Sequence, residues 1–169
     1  MKTIILPGYS PHNKDWAEEI KNQMKLGHEI IVHSWKHWVE GSFSLKYELE
    51  KIQEEIGDEK VNILAKSVGT RVAMALLKDN HEQVEKLILC GIPGVPRIEI
   101  PRFNLYKNSI NLLPARKVLV IQNEKDPFGN FEKVKKFIGK VNKDIQVISK
   151  PRSDHNYPYS VDFKKFFIN

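Results

Sequence analysis

The 169-residue sequence contains one cysteine, Cys90, and no apolar run long enough to span a bilayer. A single cysteine excludes an internal disulfide and a cysteine-based zinc site, and its place in KLILCGI predicts a small buried side chain. The opening MKTIILPGYS has only a few apolar residues before Pro7, too few for the core of a signal peptide. We therefore expect a cytoplasmic protein that does not associate with membranes.

Low-complexity tracts, internal repeats and linker-like segments are also missing from the sequence. Hydrophobic residues make up 41% and charged residues 28% of the chain, a balance typical of a globular protein. The length lies within the usual range of one domain. We expect a single domain over residues 1–169.

Acidic residues are fewer than basic ones, which gives a net charge of +6. In the densest basic stretch, FEKVKKFIGKVNK, the apolar residues have the spacing of the inner face of a helix, with the lysines opposite. Such a helix exposes its lysines to solvent, and no RNA-binding motif, zinc finger or cold-shock pattern accompanies it. We expect no nucleic-acid partner, although the positive charge favours anionic substrates.

Short runs rich in Ile and Val alternate with longer segments of helical period. The predicted strands are Thr3–Leu6, Glu29–His33, Val61–Ala65, Lys86–Cys90, Lys117–Ile121 and Ile145–Ser149. The predicted helices are Lys14–Lys25, Leu45–Ile56, Val68–Asn80, Asn130–Val141 and Val161–Phe167, with a short or irregular one between Asn104 and Leu112. Strands that are apolar on both faces are typical of a mainly parallel sheet covered by helices, the α/β class. The Pro-rich segment Gly91–Pro101 is predicted to be one long loop.

Ser67 stands directly between the third predicted strand and the helix that follows. A serine in this position lies on a sharp turn, which Ala65 and Gly69 allow to close because both are small. The turn lifts the hydroxyl above the carboxyl end of the sheet, where parallel α/β proteins have their sites, and beside the free N–H groups of the helix. Ser67 is thus a candidate nucleophile, with a helix N-cap as the alternative role.

A nucleophilic serine needs a base and an acid that orients the base. His155 follows the sixth predicted strand and Asp126 follows the fifth, which suits them to these roles. Taken singly, Asp126 is also typical of a turn before Pro127, and His155 of a solvated loop. The order and placement of the three residues favour a triad of Ser67, His155 and Asp126. Weaker candidates for the acid are Glu124, Asp144 and Asp154.

The sequence resembles the α/β-hydrolases, in which serine, acid and histidine occur in this order. The resemblance spans essentially the whole chain and rests on PGYS after the first strand, AKSVG around Ser67, NEKDPFG around Asp126 and SDHNY around His155. The sequence is most similar to small serine hydrolases without a lid, of the YdeN and retinoblastoma-binding protein 9 type. These proteins also carry a tryptophan near the first turn, here Trp16.

The resemblance implies a minimal α/β-hydrolase fold with three layers around a doubly wound, mainly parallel sheet of six strands in the order 2-1-3-4-5-6. It also implies an oxyanion hole formed by the backbone N–H groups of Tyr9 and Val68. Two positions depart from the family pattern. Ala65 replaces the first glycine of Gly-x-Ser-x-Gly, and Pro7 stands where many members have histidine.

Other motifs indicate neither a metal nor a cofactor. The segment HSWKH places His33 and His37 four residues apart, but it follows a strand and has neither an accompanying Glu nor an evident third ligand. Lys66 beside Ser67 lacks the glycines of a phosphate loop, and PGYSPH does not match the dinucleotide fingerprint.

The sequence therefore predicts a serine hydrolase, independent of metals and cofactors, that cleaves a small ester, thioester or amide. Its partner is a small acyl substrate. Trp35 and Trp38 follow the second strand and either pack in the core or form an aromatic wall of the substrate pocket. The alternative function is that of a hydrolase fold retained as a non-catalytic protein-binding module.

Overall fold

In the computed structural model, which describes residues 1–94 and 100–169, six strands alternate with helices. The strands are β1 (Lys2–Leu6), β2 (Ile30–Val32), β3 (Val61–Lys66), β4 (Val84–Cys90), β5 (Val118–Asn123) and β6 (Gln146–Lys150). The helices are α1 (Asn13–Met24), α2 (Leu45–Ile56), α3 (Val68–Asn80), α4 (Ile100–Ile110), α5 (Phe131–Val141) and α6 (Ser160–Ile168). Short 3-10 turns occupy Lys36–Trp38, His81–Gln83 and Ala115–Lys117.

The six strands form one sheet in the order β2-β1-β3-β4-β5-β6, and every neighbouring pair is parallel. The predicted fold class and strand order are therefore confirmed. Since all strands point the same way, the segments that follow β1, β3, β4, β5 and β6 gather at the carboxyl edge of the sheet.

Hydrophobic side chains cover both faces of the sheet because successive residues of a strand point to opposite sides. On one face, Ile4 and Leu6 belong to a buried cluster that includes side chains of α2, α3, α4 and α5. On the other face, Ile5 packs in a second cluster with side chains of α1 and α6. These two layers hold the sheet between helices and fix where its carboxyl edge lies.

The helix α4 is longer and more regular than the sequence predicted. It begins at Ile100, inside the predicted loop Gly91–Pro101, whereas only a short or irregular helix was expected between Asn104 and Leu112. Tyr106 is buried and its ring meets Phe137 of α5 edge-on, with centroids 5.3 Å apart. Packing against neighbouring helices thus stabilises a segment that has weak local signals. Residues 95–99 of the predicted loop lie outside the described residues.

The basic segment forms α5 as predicted. Its buried side chains are Val134, Phe137, Ile138 and Val141, and its lysines are exposed. Among residues 1–94 and 100–169, no helix is long and apolar enough to cross a bilayer.

Candidate active site

Ser67 joins β3 to α3 in a strained backbone conformation, with φ 55° and ψ −116°. A positive φ is unfavourable for a residue with a Cβ and costs about 1–3 kcal/mol. The side chain of Ser67 makes no capping hydrogen bond to α3, while its backbone N–H donates to the Cys90 carbonyl at 3.0 Å. The hydroxyl is therefore not used as a helix cap, and the turn has the sharp geometry that the sequence predicted.

Gly69 allows α3 to begin directly against the end of β1. A Cβ at Gly69 would lie 2.1 Å from the Leu6 carbonyl oxygen, closer than any side chain permits. The start of α3 therefore touches Leu6, the residue that precedes the first loop, which we define as Pro7–Ser10. This contact brings together the two segments predicted to supply the oxyanion hole.

Asp126 and His155 are paired at the carboxyl edge of the sheet. The His155 Nδ1 atom lies 2.6 Å from Asp126 Oδ2. Asp126 is only 3% exposed, and its carboxyl group also accepts hydrogen bonds from the Tyr157 hydroxyl at 2.5 Å, the Phe128 backbone N–H at 2.8 Å and the Gln122 side chain at 3.5 Å. All of these partners are donors, which fits an ionised carboxylate that can only accept.

Because a carboxylate cannot donate, the proton of the Asp126–His155 bond must lie on His155 Nδ1. The other ring nitrogen, Nε2, then carries a lone pair. Nε2 is buried and has no hydrogen-bond partner in the part of the chain that the structure describes. This nitrogen is therefore free to accept a proton from a hydroxyl group.

The end of strand β4 contacts the segments that carry Ser67 and His155. The Ser67 backbone is bonded to Cys90, and the next residue, Gly91, packs against the imidazole. A Cβ at Gly91 would lie 2.9 Å from His155 Cε1, the carbon between the two ring nitrogens. Asp126 and His155 are thus paired at the carboxyl edge where β3 ends just before Ser67, whereas no hydrogen bond joins the Ser67 hydroxyl to His155 within the described residues.

The sequence did not reveal the role of Tyr157, which follows His155 by two residues in SDHNY. The Tyr157 hydroxyl donates to Asp126 and accepts the Asn123 N–H at 3.2 Å. Burial, together with the adjacent Asp126 carboxylate, raises the pKa of Tyr157 well above its ordinary value. The phenol thus remains a donor to Asp126 throughout the physiological pH range. Its place in the motif was visible in the sequence, but its partner was not.

The carbonyl groups of the first loop are all held by donors. Trp35 Nε1 donates to the Pro7 and Gly8 carbonyls at 3.3 and 3.1 Å. The Tyr9 carbonyl lies 2.8 Å from both His37 Nε2 and Trp38 Nε1. The Ser10 carbonyl accepts from the backbone and side-chain nitrogens of Asn13, each at 2.9 Å.

This anchoring leaves the N–H groups of the first loop free. A planar trans peptide points its N–H away from its C=O, so the Tyr9 N–H points away from Trp35. Within the described residues, the N–H groups of Gly8 and Tyr9 donate to no other group, and neither does that of Val68 at the start of α3. Free N–H groups in neighbouring segments are what an oxyanion hole requires.

The two tryptophans predicted either for the core or for a pocket wall have different environments. Trp35 is 0% exposed and belongs to the hydrophobic core, so its ring does not form an open wall. Trp38 is half-buried and packs at the edge of that core. Tyr9 is 56% exposed and stacks on His37, while Phe128 is 59% exposed and meets the His155 ring edge-on at 4.7 Å.

The weaker candidates for the acid lie apart from His155 Nδ1, which is bonded to Asp126. Asp154 pairs with Arg152, and the hydrogen bond between them lowers the pKa of Asp154. Glu124 and Asp144 are exposed. Asp126 is thus the acid that the structure brings to the histidine.

The histidines of HSWKH have separate partners. His33 lies between two carboxyl groups, 3.0 Å from Glu48 Oε2 and 2.7 Å from Glu55 Oε2, whereas His37 contacts the first loop. In the ranges 1–94 and 100–169, no three side chains of His, Cys, Asp or Glu are grouped so that they could hold a metal ion.

The family model described as an alpha/beta hydrolase domain matches residues 27–162, which is most of the chain. The chain belongs to the α/β-hydrolase family. A search of curated proteins finds no significant match.

Solved structures of similar fold include known and suspected hydrolases. The chain resembles XC6422 from Xanthomonas campestris, described as a serine hydrolase without lid, with a TM-score of 0.67 and 15% identity over 97% of this chain and 77% of that one. It resembles the ydeN gene product of B. subtilis with a TM-score of 0.66 and 14% identity over 99% of both chains. It also resembles the thioesterase domain from the curacin biosynthetic pathway, with a TM-score of 0.77 and 10% identity over 99% of this chain and 90% of that one. These neighbours confirm the expected similarity to the YdeN type and, at these identities, establish the fold.

Proposed function

We propose that this protein is a serine hydrolase that cleaves a small ester, thioester or amide through an acyl-enzyme. The observation that carries the proposal is the His155 imidazole. Its Nδ1 is held by a buried carboxylate while its Nε2 is buried without a partner. A carboxylate that fixes one imidazole nitrogen and leaves the other free is the pairing that the general base of a serine hydrolase requires.

The proposed reaction assigns each group one role. His155 Nε2 accepts the Ser67 hydroxyl proton as the oxygen attacks the substrate carbonyl carbon, and Asp126 stabilises the resulting imidazolium. The N–H groups of Tyr9 and Val68 donate to the tetrahedral oxyanion. His155 then gives the proton to the leaving group, which departs and leaves Ser67 acylated. Water, deprotonated by the same nitrogen, then attacks the acyl carbon; its bond to the Ser67 oxygen breaks, His155 returns the proton to Ser67, and the acid is released.

The exposed aromatic rings support a substrate with an apolar group. Tyr9 extends from the first loop, and Phe128 lies against the face of the site formed by His155. Apolar surface of this kind beside convergent polar groups is typical of small-molecule sites. The structural neighbours include an esterase domain and a thioesterase domain. Esters and thioesters are among the substrate classes proposed for this chain.

Hydrolysis of p-nitrophenyl acetate by wild-type protein and by Ser67→Ala and His155→Ala tests the proposal. Loss of either residue should lower kcat by about 10⁴-fold or more. Ser44→Ala is the matched control, because the Ser44 side chain caps α2 by accepting from the Tyr47 N–H at 3.4 Å. It should lose about 1 kcal/mol of stability and retain full activity. Equal turnover by all four proteins would contradict the assignment of Ser67 and His155.

A further inference from the structure

Lys66 is a buried cation directly before Ser67. The residue is 5% exposed, and its Nζ lies 4.7 Å from the centre of the Trp16 ring. None of the salt bridges among the described residues includes Lys66. Burial lowers the pKa of Lys66. A buried ammonium that makes no salt bridge is unfavourable for folding, so its other contacts need an explanation.

Asn13 connects Lys66 to the first loop. Lys66 Nζ donates to Asn13 Oδ1 at 2.7 Å, and Asn13 Nδ2 donates to the Ser10 carbonyl. The amide also lies directly against Gly8, where a Cβ would be 2.6–2.8 Å from its three terminal atoms. The flat amide therefore supports the first loop from Gly8 to Ser10.

The ammonium group determines which way the Asn13 amide faces. An ammonium has only donors, so the amide must turn its oxygen toward Lys66. Its NH₂ group is then directed to the Ser10 carbonyl. Without Lys66, the amide would lose one of the two hydrogen bonds that hold it, and the loop that it supports would be less fixed.

We propose that Lys66 and Asn13 are positioning residues for the oxyanion hole: the ammonium orients the amide, and the amide holds the loop that presents the Tyr9 N–H. This inference rests on the proposed function. Neither residue touches the reacting atoms. Together they link the residue before Ser67 to the first loop.

An oxyanion donor acts chiefly in the transition state, so a displaced donor lowers kcat with little effect on KM. Removing a donor lowers kcat by about 10²–10³-fold. Displacing the first loop without removing its N–H should have a smaller effect, about 10- to 100-fold.

The test compares Lys66→Met and Asn13→Asp, with p-nitrophenyl acetate as substrate. Lys66→Met removes the ammonium and keeps an unbranched side chain. Asn13→Asp keeps the acceptor for Lys66 and replaces the donor to Ser10 by an oxygen. The matched control is Lys86→Met, because the Lys86 Nζ donates to the Phe166 and Phe167 carbonyls, at 3.0 and 3.2 Å, at the opposite end of the sheet.

We expect kcat to fall about 10- to 100-fold in Lys66→Met and in Asn13→Asp, with KM within about threefold of wild type. Lys86→Met should keep its kcat. The double variant should be no slower than Asn13→Asp alone, since Lys66 acts through Asn13. Lys66→Met should also keep its melting temperature, because a buried charge gives way to an apolar side chain. A residue with only a structural role would lower stability and leave kcat unchanged.

Two results would overturn the inference and can be told apart. In the first, wild-type protein hydrolyses the ester, and Lys66→Met and Asn13→Asp either keep the wild-type kcat or change only KM. The positioning role is then wrong and the proposed function stands. If wild-type protein neither hydrolyses the ester nor reacts with a fluorophosphonate at Ser67, the proposed function fails and this inference fails with it. Should Lys66→Met not fold, Asn13→Asp decides between the same results.

Discussion

The carboxyl group of Asp126 illustrates how a single side chain is fixed by neighbours both near and distant in the sequence. Tyr157, 31 residues away, and the backbone of Phe128 both donate to it. With His155 as a third donor, the carboxylate is held in place from several directions, and its negative charge is stabilised although it is buried. This arrangement fixes the imidazole in the orientation that leaves Nε2 free.

Replacing Tyr157 by Phe should lower both activity and stability. The change removes one donor to Asp126 and leaves the buried Asn123 N–H without its acceptor, which costs about 1–3 kcal/mol. We expect kcat to fall about 10-fold, since the carboxylate that orients His155 becomes less fixed. Tyr159→Phe removes a hydroxyl bond to the Asn123 side chain and leaves Asp126 untouched, so its effect on kcat should be smaller. Steady-state kinetics and urea unfolding measure both effects, and equal kcat in Tyr157→Phe and wild type would contradict the role of Tyr157.

Cys90 should remain unreactive in the folded protein. Burial raises the pKa of its thiol to about 12, so the nucleophilic thiolate is absent near neutral pH. In the unfolded chain the thiol ionises from its ordinary pKa of 9.0, and the folded state then holds more protons. The contribution of this thiol to the free energy of unfolding therefore falls as pH rises above about 9. The difference in free energy of unfolding between wild type and Cys90→Ala should accordingly shrink between about pH 9 and 11. Iodoacetamide labelling of folded protein at the rate seen in urea would contradict this account.

At the scale of elements, the joint between β1 and α3 determines where the nucleophile lies. Gly69 permits the close approach of the helix to Leu6, and Ser67 accepts the strained backbone that the turn requires. The strain is tolerated because β3 and α3 are both packed in the core on either side of the turn.

Alanine substitutions at two helical glycines should have opposite effects on stability. Gly69→Ala places a methyl group against the Leu6 carbonyl and should destabilise the protein by about 1–3 kcal/mol or more while reducing activity. Gly139 lies in α5 with no atom near the position of a Cβ, so Gly139→Ala should stabilise the protein by about 0.5–1 kcal/mol. Thermal unfolding measures both changes. A stabilised Gly69→Ala protein with normal turnover would show that the close approach is not required.

The parallel sheet was predictable because short runs such as Val61–Ala65, apolar on both faces, are typical of buried parallel strands, and the order of the strands followed from the resemblance to the α/β-hydrolases. The extent of α4 was not, because its regularity depends on packing of Tyr106 against another helix. The triad residues were predicted from their positions after the third, fifth and sixth strands. The partners of Asp126 and the link between Lys66 and Asn13, 53 residues apart, depend on tertiary contacts that no local pattern encodes.

At the scale of the whole molecule, the net charge of +6 should influence which substrates arrive fastest. Lys125 and Lys133 also line a surface pocket that includes Asp126 and Phe128. Positive charge around a site raises the encounter rate of anions, and salt screens the effect.

A sulfonated phenyl acetate should therefore show a kcat/KM that falls several-fold between about 0.05 and 0.5 M NaCl. The neutral phenyl acetate serves as the control and should show little change over the same range. Equal salt dependence for the two esters would indicate that the charge excess does not act on the site.

The central claim is that Ser67 is activated by His155, and reaction with a fluorophosphonate tests it most directly. Wild-type protein, Ser67→Ala and His155→Ala would be treated with the reagent, and any adduct located by peptide mass spectrometry. The account predicts a phosphonylated Ser67 in wild type and no adduct at this position in either variant. A folded wild-type protein that remains unlabelled, or one whose Ser67 reacts equally well without His155, would contradict it.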